Sequence, residues 1–219
     1  MTLNILVFLG SVRDSVPPKP ARLGLRVARA SQAHLEKDGH DITLIDPLDI
    51  ALPIPFKPHF SYASGKAPEN LEKLARQIEQ ADAYVMVSPE YNHSMSPALA
   101  DMLNHFGSSL FSYKPSAIVT YSAGQWGGAR AAVNMRTYLS ELGCLPVSAM
   151  IHIPKAQDIF DEDGTLSGAQ NIDRWKGYMD RTFAQLQWWA LAAKGQRNSG
   201  EPGRQPESFK KDPSQRNAS

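Results

Sequence analysis

Three segments of this 219-residue chain combine glycine with polar or charged side chains in patterns that suit ligand binding. The first, Gly10-Ser11-Val12-Arg13, follows an apolar run and offers a tight turn, a hydroxyl and a guanidinium whose paired donors match a phosphate. A helical pattern follows near Arg22 with no Ser, Thr, Asp or Asn just before it, so an anion could cap that helix. Lys19 and Arg22 add positive charge at the same place. The spacing matches neither a Walker loop nor a GxGxxG fingerprint, and an empty basic loop remains the alternative.

The second segment, Ser88-Pro89-Glu90-Tyr91-Asn92-His93-Ser94, follows another apolar run. A rigid turn here would present main-chain N–H groups, an aromatic ring and an amide to a flat heteroaromatic ligand with hydrogen-bonding edges. The alternatives are a core position for Tyr91 and a turn-forming role for Asn92. We interpret His93 as a solvated loop residue rather than an acid or base.

The third segment, Ser122-Ala123-Gly124-Gln125-Trp126-Gly127-Gly128, places three glycines within five positions. Glycines beside a strand end allow a close approach between backbone and ligand, although a loop that only needs positive φ angles would look the same. Arg130 follows early in a helix, where its charge opposes the helix dipole, and this indicates an anionic or subunit partner.

Hydrophobic periodicity supplies the elements that must hold these segments. Continuous apolar runs predict five buried strands, and stripes at helical spacing predict helices between and after them. The predicted strands cover 4–9, 41–45, 83–88, 116–121 and 147–151, and the predicted helices cover 22–37, 69–80, 97–106, 129–142 and 172–192. This alternation predicts a three-layer α/β fold of the doubly wound, flavodoxin-like type, with a five-stranded parallel sheet in the order 2-1-3-4-5 and helices on both faces. The three segments then follow the first, third and fourth strands and converge on one crevice at the switch point.

Composition narrows the range of functions. With 23 basic and 22 acidic residues, the net charge of +1 argues against nucleic acid or an anionic membrane as the main partner. The single cysteine, Cys144, cannot form an internal disulfide, and no Cys/His cluster offers four metal ligands, so we expect no metal and a reducing, cytoplasmic compartment. The apolar run at 3–9 is too short to span a membrane and lacks the basic start of a signal peptide. We expect Cys144 to be buried and inert.

Residues 194–219 differ from the rest of the chain. This segment has one aromatic residue, abundant Gly, Pro, Ser and Asn, and six basic residues against three acidic ones. Such a composition cannot bury enough apolar surface to offset the entropy of ordering it. We therefore predict one domain at 1–193 and a basic, disordered tail at 194–219, for which binding to an acidic partner is the alternative.

Four motifs carry a resemblance to a known family: GSVR at 10–13, RLGLRVA at 22–28, SPEYNHS at 88–94 and SAGQWGGARAA at 122–132. With these motifs the chain resembles the NADPH-dependent FMN reductases, the flavodoxin-like NAD(P)H:quinone, azo and chromate reductases. The resemblance runs from residue 3 to about 189 and implies non-covalent FMN, NAD(P)H as co-substrate and a homodimer or homotetramer. A segment VPPKPA, 16–21, departs from the family pattern between Arg13 and the helix.

The resemblance also implies roles for individual residues. Ser11, Arg13 and Arg22 would hold the FMN phosphate, and the other segments would line the ribityl chain and the ring. The ring and ribityl set is Pro89, Glu90, Tyr91, Asn92, Ser122, Ala123, Gly124, Gly127 and Gly128, with Tyr91, Asn92 and Gly124 nearest the reacting part of the ring.

Because flavin carries the hydride chemistry, we expect no protein nucleophile. The implied reaction is ping-pong transfer of two electrons from NAD(P)H through FMN to quinones, azo compounds, free flavin or metal oxyanions. The alternatives are a flavodoxin-like carrier of single electrons and a flavin-binding interaction protein with incidental turnover. A carrier would favour an acidic surface and a hydroxyl-rich phosphate loop, and this chain has neither.

Overall fold

The computed structural model describes residues 1–14, 22–167 and 171–199, to which all structural statements refer. These residues form a parallel sheet in the order β2-β1-β3-β4-β5, in which β6 also pairs with β4. The strands are β1 (Asn4–Leu9), β2 (Asp41–Ile45), β3 (Ala83–Pro89), β4 (Pro115–Tyr121), β5 (Leu145–Pro146) and β6 (Ile151–Ile153). The predicted strand order and fold class are confirmed.

Helices cover both faces of the sheet. They are α1 (Leu23–Lys37), α2 (Glu69–Gln80), α3 (Pro97–Asn104), α4 (Ser108–Phe111), α5 (Ala129–Glu141), α6 (Ala156–Ile159) and α7 (Ile172–Asn198). The predicted bounds of α2 agree with the structure because its apolar stripe is regular, and Leu71, Leu74 and Ile78 are buried along it. Ser96 caps α3 as predicted, since its side chain accepts a hydrogen bond from the N–H of Leu99. None of the helices in the described ranges has both the length and the apolar character needed to cross a bilayer.

The strands are apolar on both faces because each face has its own core. Ile5, Val7 and Leu9 of β1 pack in the cluster beneath α1 and α7. Leu6 and Phe8 point the other way, into the cluster with α2, α3 and α5. Alternating side chains of one strand therefore serve two cores, as expected of a parallel sheet covered on both faces.

The fifth strand differs from its prediction. Instead of one strand over 147–151, the chain pairs with β4 through β5, leaves the ladder, and pairs again through β6. Side chains bind the backbone in between: Gln185 of α7 accepts the N–H of Ala149 at 3.1 Å, and Arg136 of α5 donates to the carbonyl of Val147 at 2.9 Å. These contacts come from distant parts of the chain, so the local pattern of Val147 to Ile151 could not reveal the interruption.

The last helix also extends beyond its prediction. Helix α7 continues to Asn198, which is five residues into the segment assigned to the tail. Lys194 and Arg197 lie on this extension and pair with Asp82 at 2.7 and 2.8 Å. Ion pairs therefore hold a stretch of helix that has no apolar side chains. The rest of the predicted tail, from residue 200, lies outside the described residues.

Candidate functional site

The carboxyl ends of β1, β3 and β4 are neighbours, so the three segments singled out in the sequence leave the sheet at one edge. The register pairs Leu9 with Val87 and Pro89 with Tyr121. Ligands of open α/β sheets bind at this edge, where the strand order reverses between β1 and β3. The structure therefore brings the three predicted segments together.

A network of two serines joins the first two segments. Gly10 donates its N–H to the carbonyl of Val87 at 2.7 Å, and the hydroxyl of Ser96 donates to the carbonyl of Gly10 at 2.6 Å. The hydroxyl of Ser88 accepts the N–H of Ser96 at 2.9 Å. A Cβ on Gly10 would lie 2.7 Å from the carbonyl oxygen of Val87, so this close crossing requires glycine.

The first segment lies next to the start of α1. The N–H of Arg22 donates to the carbonyl of Arg13 at 3.3 Å, although residues 15–21, which include Lys19, lie outside the described part of the chain. The hydroxyl of Ser11 accepts the N–H of Arg13 at 3.3 Å. The side chain of Arg13 is exposed at this mouth. Ser11, Arg13 and the first turn of α1 thus meet as predicted.

Arg22 is placed differently from the prediction. It is the N-cap of α1, it adopts a left-handed φ of 55°, and its side chain makes no capping hydrogen bond within the described chain. Its guanidinium forms an ion pair with Asp46, just after β2, and this carboxylate offsets the charge that Arg22 was expected to add. Its Nη1 is buried without a hydrogen-bond partner among the described residues. Arg22 therefore reaches the mouth mainly through its backbone.

The second segment forms a tight two-residue turn. Tyr91 and Ser94 exchange main-chain hydrogen bonds of 3.0 and 2.9 Å, and Asn92 and His93 between them have φ values of 49° and 64°. Positive φ at both central residues is typical of a type I′ turn, which asparagine tolerates well. Asn92 is thus a turn former, as the alternative interpretation held, and His93 is exposed. Tyr91 is 47% exposed rather than buried in the core.

Glu90 faces α5. Its carboxylate pairs with Arg130 at 2.7 Å and accepts the N–H of Ala131 at 3.4 Å. A carboxylate at this position stabilises the positive end of the helix dipole and satisfies an N–H group of the first turn. The anionic partner indicated by Arg130 is therefore Glu90 of the same chain.

The third segment is organised by Ser122. Its hydroxyl donates to the carbonyl of Gly124 at 2.8 Å and accepts the N–H of Gly127 at 2.9 Å. Lys155 and Gln157, which belong to the turn and helix after β6, bind the carbonyls of Gly124 and Ala123 at 2.8 and 3.1 Å. The loop is therefore held from inside and from the neighbouring strand.

The glycines of this segment have two different roles. Gly127 and Gly128 have φ values of 60° and 74°, and a Cβ on either would come within 3.0 Å of β6 or β4. For Gly127 and Gly128 the structure supports the alternative interpretation, in which the loop needs glycine because its backbone adopts positive φ angles. A Cβ on Gly124 would meet nothing within 4 Å in the described residues. Gly124 is therefore the glycine of this loop that faces open space.

Tyr121 was not selected from the sequence, yet its side chain reaches the same mouth. It ends β4, is 4% exposed, and its hydroxyl lies beneath Gly24 in the first turn of α1. Burial raises the pKa of this hydroxyl well above its usual value, and an interaction with the Ser11 side chain partly offsets that rise. The signal in the sequence was a tyrosine at the end of a buried strand that has no other aromatic residue.

The lone thiol lies away from this edge. Cys144 follows α5 and is buried, as predicted. Burial raises its pKa to about 12, so the thiol stays protonated near neutral pH.

Comparison with known proteins agrees with this geometry. The model of the NADPH-dependent FMN reductase family matches residues 3–158. The chain belongs to this family. An NAD(P)H-dependent FMN reductase of Pseudomonas aeruginosa is 33% identical over 138 residues, which cover 61% of this chain and 72% of that protein. A quinone reductase of Pseudomonas putida is 28% identical over 171 residues, which cover 75% of this chain and 84% of that protein.

A solved structure supports the fold. The flavoenzyme NAD(P)H:acceptor oxidoreductase of Paracoccus denitrificans superposes with a TM-score of 0.67 at 22% identity, covering 85% of this chain and 98% of that one. The predicted family, and with it the assignment as an FMN-dependent oxidoreductase, is confirmed.

The site of this FMN reductase family member fits the cofactor. The first turn of α1 has N–H groups without a side-chain cap in the described residues, and Arg13 lies beside it, which suits the FMN phosphate. The exposed ring of Tyr91 and the open face of Gly124 flank the same edge and suit a planar ring.

Proposed function

We propose that this chain is an FMN-dependent NAD(P)H oxidoreductase that passes two electrons in a ping-pong sequence to a quinone or a similar acceptor. The other acceptors that we include in the proposal are azo compounds, free flavin and metal oxyanions. The observation that carries the proposal is the start of α1, which has no side-chain cap among the described residues and lies beside Arg13 at the switch point of the sheet. FMN, when bound, supplies the redox chemistry, and the protein supplies binding and orientation.

Ser11, Arg13 and the first turn of α1 bind the phosphate in this proposal. Arg13 contributes the charge, because its side chain is exposed at the mouth, whereas the guanidinium of Arg22 is already paired with Asp46. Arg22 contributes by ending the loop in the left-handed conformation that turns the first N–H groups of α1 toward the mouth. The sequence assigned phosphate binding by the side chain to both arginines. In this proposal Arg13 supplies the charge and Arg22 supplies the backbone conformation.

Pro89, Glu90, Tyr91 and Asn92 line the ring and ribityl chain mainly through the backbone. The carboxylate of Glu90 is committed to α5, and the N–H of Tyr91 is bonded within the turn. The N–H of Gly127 is likewise taken by Ser122. We therefore assign the stabilisation of negative charge on the ring to the main-chain N–H groups of Asn92 and Gly124.

The open side of the site serves both substrates in turn. Tyr91, Gly124 and the exposed ring of Trp126 surround the space that NAD(P)H and then the acceptor would occupy. The Cζ atom of Arg130 lies 5.8 Å from the centroid of the Trp126 ring. Because Arg130 also pairs with Glu90, this ion pair connects the second and third segments. Shared use of one opening is the structural basis that we propose for ping-pong kinetics.

The assembly is proposed to be a homodimer or homotetramer. Trp188, Trp189 and Leu191 on α7 are 63%, 44% and 38% exposed, and apolar exposure of this kind is typical of surfaces that meet a partner. Light scattering after size exclusion should give a mass of two or four chains. A monomer at micromolar concentration would contradict this part of the proposal.

The full-length protein should be purified and its absorbance spectrum recorded, first alone, then with NADPH under anaerobic conditions, and then with a quinone. We expect flavin absorbance that NADPH bleaches and the quinone restores, with both electrons entering together. A colourless protein that FMN cannot reconstitute would refute the proposal. Reduction that stops after one electron per flavin would favour the single-electron carrier.

Arg13→Ala tests the phosphate site. Losing charge-assisted hydrogen bonds to phosphate costs about 1.5–3 kcal/mol, so the Kd for FMN should rise roughly 10- to 100-fold. Arg76→Ala removes an equal charge from the exposed face of α2 and should leave the Kd unchanged. Equal FMN affinity in Arg13→Ala and wild type would contradict the assignment.

A further inference from the structure

The side chain of Tyr121 connects the two halves of the proposed phosphate site. Its ring packs in the core between the sheet and α1, and its hydroxyl reaches the first turn of that helix. A Cβ built on Gly24 would lie 2.3 Å from the Tyr121 hydroxyl oxygen and 2.9 Å from Cζ. The absence of a side chain at position 24 is therefore what admits the hydroxyl beneath the helix start.

Polar contacts continue from this hydroxyl into the loop after β1. The Tyr121 hydroxyl interacts with the side chain of Ser11, whose oxygen accepts the N–H of Arg13. The hydroxyl stays protonated near neutral pH, because burial raises its pKa and the nearby Arg13 and Arg22 only partly offset the rise. Buried hydroxyls usually form a hydrogen bond. The position of the Tyr121 hydroxyl under Gly24, at the start of α1, places it near the loop that carries Ser11.

We propose that Tyr121 is a positioning residue for the phosphate end of the cofactor. Its hydroxyl holds the Ser11 side chain against the start of α1, so that Ser11, Arg13 and the first-turn N–H groups face one phosphate. Tyr121 acts through Ser11 and does not itself contact the ring. The inference rests on the proposed function and adds to it a residue that selects FMN over a flavin without phosphate.

A structural role alone makes a different prediction. Were Tyr121 only filling the core, its loss would loosen the whole edge of the sheet, and every flavin would bind less tightly by a similar factor. A role at the phosphate predicts a selective effect, because riboflavin carries the same ring and ribityl chain without the phosphate. The ratio of the two affinities separates these roles.

The experiment compares full-length wild type with Tyr121→Phe and Tyr84→Phe, each stripped of flavin and titrated with FMN and with riboflavin. Tyr84 is the matched control, because it too is buried and donates its hydroxyl to the carbonyl of Ile78 at 2.8 Å, on the other face of the sheet. Tyr121→Phe should weaken FMN about tenfold, the effect of one lost hydrogen bond, and leave riboflavin within twofold of wild type. Tyr84→Phe should change neither affinity.

Ser11→Ala completes a double-mutant cycle. Because Tyr121 acts through Ser11, the double variant should weaken FMN by no more than the larger single effect, instead of by the product of the two. Should Tyr121→Phe fail to fold, Ser11→Ala alone carries the test, since an unchanged preference for FMN in that variant would overturn the inference.

The outcomes distinguish this inference from the proposed function. Wild-type protein that binds FMN no more tightly than riboflavin would overturn the phosphate site and the inference with it. A strong preference for FMN in wild type that persists in Tyr121→Phe would overturn the inference and leave the proposed function intact. Equal weakening of both flavins by Tyr121→Phe would likewise show that the hydroxyl is structural.

Discussion

Asp82 connects the end of the last helix to the amino-terminal edge of the sheet, and its removal is the perturbation that tests this connection. One carboxylate oxygen accepts from Lys194 at 2.7 Å and from the N–H of Asn4 at 3.0 Å. The other accepts from Arg197 at 2.8 Å. The side chain of Asp82 is 8% exposed, whereas those of Lys194 and Arg197 are 25% and 30% exposed.

The magnitude follows from this uneven exposure. Hydrogen bonds to charged groups contribute about 1.5–3 kcal/mol each when desolvated, but both cations here remain partly in water, which screens them. Lys194 and Arg197 can also regain hydration when Asp82 is lost, so no buried charge is stranded. We therefore expect Asp82→Ala to lower the free energy of unfolding by about 3 kcal/mol. Asp82→Asn, which keeps an acceptor for Asn4, should lower it by about 1.5 kcal/mol.

The assay is urea unfolding of the full-length variants followed by far-UV circular dichroism, together with thermal unfolding. For a chain of this size, 3 kcal/mol corresponds to a fall in Tm of roughly 6–12 °C. Asp41→Asn, an exposed position at the start of β2, makes the same change in charge and serves as the control. Raising the salt concentration should reduce the difference between wild type and Asp82→Ala, because these partly exposed ion pairs are screened.

Truncation provides a second, independent test of the same connection. A chain that ends after residue 193 loses Lys194 and Arg197, whereas one that ends at Ser199 keeps them. The shorter chain should be less stable than the longer one, because the buried carboxylate of Asp82 then loses both of its cationic partners. Equal stability of the two truncated chains, or an Asp82→Ala variant no less stable than Asp41→Asn, would refute the reasoning.

Two further predictions concern Glu90 and a buried lysine. Glu90→Gln should leave the Kd for FMN within about threefold of wild type, because the carboxylate binds Arg130 and the start of α5 instead of the ring; a tenfold loss in a flavin titration would contradict this. Lys114 donates to the carbonyls of Ile78, Glu79 and Leu110, and burial lowers its pKa to about 8, from 10.5. Because the folded state then loses this proton before the unfolded state does, the contribution of Lys114 to stability should rise by about 1 kcal/mol between pH 8 and 9. A difference between wild type and Lys114→Met that stays constant over this interval in urea unfolding would refute the shift.

Local patterns predicted most of the architecture. The stripe of Leu71, Leu74 and Ile78 located α2, and runs of apolar residues located β1 to β4, because helical and strand periodicities are set by neighbouring residues. Contacts between distant residues were missed. The interruption between β5 and β6 depends on Gln185, and the end of α7 depends on Asp82, more than 100 positions away in sequence from Lys194.

In the candidate site, too, local patterns could be predicted and contacts between distant residues could not. Its three segments could be predicted because glycines and polar residues directly after buried strands must gather at one edge of a parallel sheet. What each side chain does there could not be predicted, because it depends on the partner that folding supplies. Asp46 pairs with Arg22, Arg130 pairs with Glu90, and the strands behind Gly127 and Gly128 explain those two glycines.

The sequence by itself determined the fold class, the family and the edge of the sheet where the candidate site lies, since these follow from periodicity and from motifs of a few adjacent residues. Only the tertiary structure decided which polar groups at that edge are already satisfied and which remain open. It also placed Tyr121 under Gly24, a contact between β4 and α1 that joins residues 97 positions apart. The physical reason is that hydrogen bonding and burial are properties of a side chain's surroundings in space, which the chain acquires only on folding.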